Sequence, residues 1–148
     1  VPALRILVTV DASRDEIADA MEATGADGIQ PHGHGAHASA LWAEQAGFLV
    51  LRPVGDELIE DISARQIPLF DSVTARQHGG TGLTLDWTVI ARPQQRFVLA
   101  GGLEPGNVAE AIAALKPWGV DASSGLESEP GIKDAARVAA FVEEAKRT

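Results

Sequence analysis

The chain has 148 residues, 45% of them hydrophobic, which is enough for one domain with a sizeable core and cramped for two. A formal net charge of −9 with no dense Lys/Arg run argues against nucleic acid or an anionic membrane as the main partner, because both attract basic surfaces. The absence of cysteine rules out a disulfide framework, a thiolate metal site and a cysteine nucleophile among these residues, while the first apolar run, at residues 5–10, has no basic n-region before it and is far too short to cross a bilayer.

Apolar runs of strand length start the reading at residues 5–10. Asp11 follows, and is expected to cap a helix rather than to act as a base. Ser13 with Glu16 three residues on is a capping box, and Ile17, Ala20 and Met21 keep helical spacing until Gly25 stops it. A second strand covers residues 28–30, and Pro31, which has no backbone donor, is expected to shorten it by a residue. His32, His34 and His37 form an H-x-H-x-x-H cluster. A metal reading is set aside, because neighbouring turn residues diverge and no carboxylate or thiol falls at a matching spacing. His32 is read instead as a residue near the ligand.

Residues 38–46 read as a helix stopped at Gly47, with Trp42 on its packing face. A strand at 48–51 leads to a helix at 56–65 with Leu58, Ile59 and Ile62 on one face. The strand at 67–70 runs into Asp71, and a long connection at 72–85 carries Gly79 to Gly82. Asp86 opens a short helix broken at Pro93. The strand at 97–100 ends in Gly101 and Gly102, and Asn107 caps a helix running to Lys116. A last strand at 119–122 ends in Ser123, Ser124 and Gly125. Asp134 then opens a helix whose Val138, Phe141 and Val142 are expected to face inward, and Trp118 is expected to pack in a core or lid.

Strand and helix alternate with strand starts at 5, 28, 48, 67, 97 and 119, the pitch of repeated βα units with a parallel sheet. Length alone favours an open doubly wound sheet over part of a (β/α)₈ barrel, which usually needs ~250 residues. The two glycine-bearing turns after the last two strands favour the barrel. Such turns let backbone N–H groups approach an oxyanion, and two in succession predict a shared cradle for a phosphorylated small molecule.

Several segments resemble, in order, the phosphoribosylanthranilate isomerase family of tryptophan biosynthesis. Gln30-Pro31-His32-Gly33 is similar to its QLHG, Leu69-Phe70-Asp71 to its LLD, and Gly79-Gly80-Thr81-Gly82 with Asp86-Trp87 to its GGTG and FDW. Leu99 to Leu103 with Asn107-Val108, and Val120 to Glu127 with Pro130-Gly131 and Lys133-Asp134, complete the match. The resemblance implies an α/β fold of the (β/α)₈ TIM-barrel type, with the third to eighth strands visible and residues 1–148 forming a single partial domain. It implies an Amadori rearrangement of a phosphoribosyl amine in the cytoplasm, without metal or cofactor. Asp71 would be the general acid, His32 and Asp121 substrate contacts, and Gly101, Gly102, Ser124 and Gly125 the phosphate site. The family's general-base cysteine, in a KICG strand, has no counterpart in these residues.

By the same resemblance, a partner chain or preceding segment would complete the barrel, and the strands beginning at Arg5 and Gly119 would show unpaired or covered edges. Two other readings stay open. One is a non-catalytic phosphate-sugar binding module derived from the same barrel. The other is a flavodoxin-like sheet with a phosphate-bearing cofactor, whose glycines belong after the first strand, where none stands.

Overall fold

Ser13 starts the first helix as its spacing to Glu16 predicts. Its hydroxyl accepts the Glu16 N–H at 3.4 Å, and the Glu16 carboxylate accepts the Ser13 N–H at 2.8 Å. The computed structural model describes residues 3–54, 62–71 and 96–147, which fall in two compact units, Val1–Leu69 and Phe70–Thr148.

In the first unit, helix α1 (Arg14–Thr24) ends at left-handed Gly25 and joins strand β1 (Ile6–Val10) to β2 (Gly28–His32). Helix α2 (Ala36–Gln45) leads on to β3 (Leu49–Val54). β1 pairs with β2 and β2 with β3, both in parallel. α1 and α2 lay Ile17, Met21, Ala40 and Ala43 over Ile29 and Val50. Each large side chain buried there contributes roughly 1.5–3 kcal/mol relative to exposure. Trp42 packs beside Phe48 with ring centroids 6.2 Å apart, under the Arg14 guanidinium.

Two expectations change here. β2 runs through Pro31, which lies buried opposite Thr9, and continues to His32. Backbone donors alternate in direction along a strand. Gly28 N–H reaches back to Arg5 on the β1 side, so Pro31 faces the β3 side, beyond the last β2–β3 pair at Ile29 and Val50. Pairing with β3 stops there, while pairing with β1 continues through Pro31 to His32. Residues 62–66, where the helix was expected to reach Arg65, form a bend and turn instead. Glu44 holds that turn by accepting from Ser63 Oγ and Gln66 Nε2, each at 2.8 Å. The rest of the expected helix lies outside the described residues, as do the 72–85 connection, Gly79 to Gly82, and the helix at Asp86.

The second unit contains the end of β4 (Ile67–Asp71), then β5 (Val98–Ala100) and β6 (Gly119–Val120), which pair in parallel through helix α3 (Val108–Leu115). An antiparallel hairpin, β7 (Glu127–Glu129) and β8 (Ile132–Lys133), turns at Gly131 with φ +82°. Helix α4 (Ala135–Lys146) begins where Asp134 accepts the N–H groups of Ala136 and Arg137. Phe97, Leu99, Leu103, Val108, Ala111, Leu126 and Phe141 form the core, and the Phe70 ring meets Phe97 edge-on at 5.5 Å.

Of the three residues expected to face inward on the last helix, Phe141 alone is buried; Val138 and Val142 are 37% and 42% exposed. Trp118 is 51% exposed rather than packed in a core. The hairpin was not foreseen either, because its Glu-rich strands are polar on both faces and show no apolar alternation. Among the described residues, no helix is long and apolar enough to cross a membrane.

Candidate functional site

β5 and β6 run in parallel, so their carboxyl ends open on the same side. After β5 the chain turns through Gly101 and Gly102 with φ +83° and +65°. Two successive left-handed residues strain any side chain, which is why glycines stand there. Asn107 was expected to cap α3, yet its side chain makes no capping bond. Its Oδ1 accepts the Glu104 N–H at 2.9 Å, and its Nδ2 donates to the Gly102 carbonyl at 3.0 Å. The residue ties the turn to the helix start.

After β6, residues 124–126 form a single tight turn in which the Leu126 N–H reaches Ser123 O at 3.0 Å. Gly125 presses so close to the first turn that a Cβ there would lie 2.1 Å from the Leu103 carbonyl oxygen. Leu103 and Leu126 share the same core beneath. The two glycine turns are thus side by side, with Gly101, Gly102, Ser124 and Gly125 at one end of the unit.

The hairpin braces this end. Lys133 Nζ donates to Ser123 O at 3.1 Å, to Ser123 Oγ at 3.2 Å and to the Glu127 carboxylate. Glu127 also accepts the Gly131 N–H at 3.1 Å, and Arg137 donates to the Glu127 carbonyl. The Lys133 bond, with help from the Gly131 N–H, holds the Glu127 carboxyl below the ordinary carboxylate range. Lys133 thus reaches the second turn as one half of an ion pair with Glu127.

Asp121 follows β6, is exposed, and extends the ladder by donating its N–H to Leu99 O at 2.8 Å. Asp71 is the last residue of β4 and half-buried. Phe70 before it points into the core, so strand alternation turns Asp71 to the other face. His32 closes β2 in the first unit, with a ring nitrogen 3.0 Å from Gln30 Nε2. The other two histidines go elsewhere. The His34 N–H donates to Asp11 Oδ1 at 2.6 Å, and Arg52 donates to His37 Nδ1 at 3.4 Å.

Asp11 does not cap α1. At φ +49° it donates its N–H to His32 O and binds the next turn through His34. Sequence reasoning missed Asn107 as a tether and Lys133 as a brace. An asparagine following a Gly-Gly turn at short range was the available signal for the first, since its amide both donates and accepts.

Residues 1–144 match the family model described as N-(5'phosphoribosyl)anthranilate (PRA) isomerase. The chain is 43% identical over 101 residues to the N-(5'-phosphoribosyl)anthranilate isomerase of Leptospira interrogans, an alignment covering 68% of this chain and 47% of that protein. It spans about half the length of that curated relative. Among solved structures, phosphoribosyl anthranilate isomerase from Thermotoga maritima superposes with a TM-score of 0.82 at 32% identity, over 100% of this chain and 76% of that one. A phosphoribosyl anthranilate isomerase in complex with reduced 1-(o-carboxyphenylamino)-1-deoxyribulose 5-phosphate superposes at 0.78 with 28% identity, over 100% and 75%.

Proposed function

Because the chain belongs to the N-(5'-phosphoribosyl)anthranilate isomerase family and has the α/β, TIM-barrel type of fold of its relatives, we propose that it serves the same reaction in tryptophan biosynthesis. The substrate is N-(5-phosphoribosyl)anthranilate and the product 1-(o-carboxyphenylamino)-1-deoxyribulose 5-phosphate. The observation that carries this reading is the packing of Gly125 on the Leu103 carbonyl, which sets two exposed glycine turns beside each other as a cradle for one phosphate.

In the proposed chemistry Asp71 gives its proton to the ribose ring oxygen, the C1′–O bond breaks, and the anthranilate nitrogen forms a Schiff base with C1′. Loss of the C2′ proton yields an enol-amine that becomes the 2-ketose. Asp121 contacts the substrate near the reacting centre, and His32 lies near the ligand. The base that removes the C2′ proton is not a cysteine of these residues, since they include none. The reading therefore includes a partner chain or further segment that completes the barrel, and a cytoplasmic setting for the whole.

Calorimetry with the reduced product analogue tests the cradle. The parent chain binds it, and Gly102→Val, which fills a left-handed position, abolishes binding. In the completed barrel, Asp71→Asn is expected to lower turnover about 10²-fold or more, with analogue affinity within a few-fold of the parent. Unchanged turnover in Asp71→Asn would remove the acid from this assignment. The lack of cysteine favours one second reading, a phosphate-sugar binding module without catalysis, which predicts binding of the analogue and no turnover at all.

A further inference from the structure

We propose that Asn107 is a positioning residue for the phosphate-binding turn. This rests on the phosphate reading above. Gly101 and Gly102 both sit at positive φ, and glycine pairs have wide conformational freedom, so the turn needs an outside restraint to keep one shape. Rotation of the peptide after Gly102 would present a carbonyl oxygen, the negative end of its dipole, to a dianionic ester. Asn107 Nδ2 holds that oxygen at 3.0 Å, while the next carbonyl, of Leu103, is closed off by Gly125. The Gly102 carbonyl is thereby held within the protein and the Leu103 carbonyl is covered.

The choice of asparagine is specific. Ser and Asp are equally good helix caps, but an ionised Asp cannot donate, and the single hydroxyl of Ser is too short to serve both the Glu104 N–H and the Gly102 carbonyl, which Asn107 meets with Oδ1 and Nδ2. Glutamine is one methylene too long for the same two contacts.

The test separates this role from helix capping. Asn107→Ser keeps a cap residue but is too short to reach Gly102. Its melting temperature stays close to the parent's, and its dissociation constant for ribose 5-phosphate rises about ten-fold, the loss of one hydrogen bond. Amide resonances of Gly101 and Gly102, followed by NMR during the titration, move less than in the parent. If Asn107→Ser does not fold, Asn107→Asp gives the comparison, since it is isosteric and keeps the acceptor for Glu104; it loses the donor and adds a negative charge, and repeating the titration at high salt, which screens that charge, isolates the loss of the donor. A parent that binds ribose 5-phosphate while the folded variant matches it within two-fold overturns this proposal alone. A parent that takes up no ribose 5-phosphate overturns the phosphate reading and this one with it.

Discussion

Gly101 and Gly102 adopt backbone angles that a side chain strains, whereas Gly125 is small because the Leu103 carbonyl leaves no room beside it. The difference predicts different substitution behaviour. Gly125→Ala must push two strand-end turns apart, and overpacking of this kind costs about 1–3 kcal/mol. Chemical denaturation of that variant is expected to show the loss, together with weakened binding of ribose 5-phosphate. Asp11 shows the same dependence on surroundings. A strand-end aspartate ordinarily suits helix capping, but Ser13 already holds that position with Glu16, and Asp11 is left to bond the His34 N–H.

The β7–β8 hairpin is short, exposed and polar, so it owes its place to Lys133, Glu127 and Arg137 more than to apolar burial. Glu127 titrates lower in the folded chain than in the unfolded one, through its bonds to Lys133 and Gly131. Its contribution is therefore complete above the ordinary carboxylate range and is lost as pH falls through the depressed folded value. The protection factors of amides in residues 127–133, which correct for the intrinsic slowing of exchange in acid, are expected to fall on such acidification, and Glu127→Gln is expected to show the lower protection already at neutral pH. The α1 capping box behaves alike. Ser13 holds Glu16 below its usual range, so the first turn of α1 loosens in the same acid window.

Across the molecule, β1 pairs with β2 and lays Leu7 on the helix-side core, while Val8 and Val10, on its other face, are 59% and 69% exposed. Leu4 just before the strand is exposed as well. An uncovered apolar strand invites pairing with another chain. These 148 residues are therefore expected to associate as concentration rises, as read by light scattering. A Val8→Lys, Val10→Lys double variant is expected to lower the apparent mass without changing the circular dichroism spectrum. A parent that stays monomeric at every concentration would contradict this.

The βα rhythm, the Ser13–Glu16 box, the Asp134 cap and the two glycine turns were all legible in the one-dimensional string, because each depends on residues a few positions apart and on φ limits that belong to the residue type. The family resemblance was legible for the same reason, as short motifs in order. Which partner a polar side chain takes was not. Asn107 turned back to Gly102, Asp11 reached His34 across 23 residues, and Lys133 bound Ser123, choices set by distances that exist only once strands are paired. Neither was the exposure of Val138 and Val142 legible, since helical spacing tells which residues share a face but not how much of that face the neighbouring elements cover. The closeness of Gly125 to Leu103 belongs to the same class. Side-chain periodicity is local, while contact between turns 22 residues apart is a property of the packed sheet.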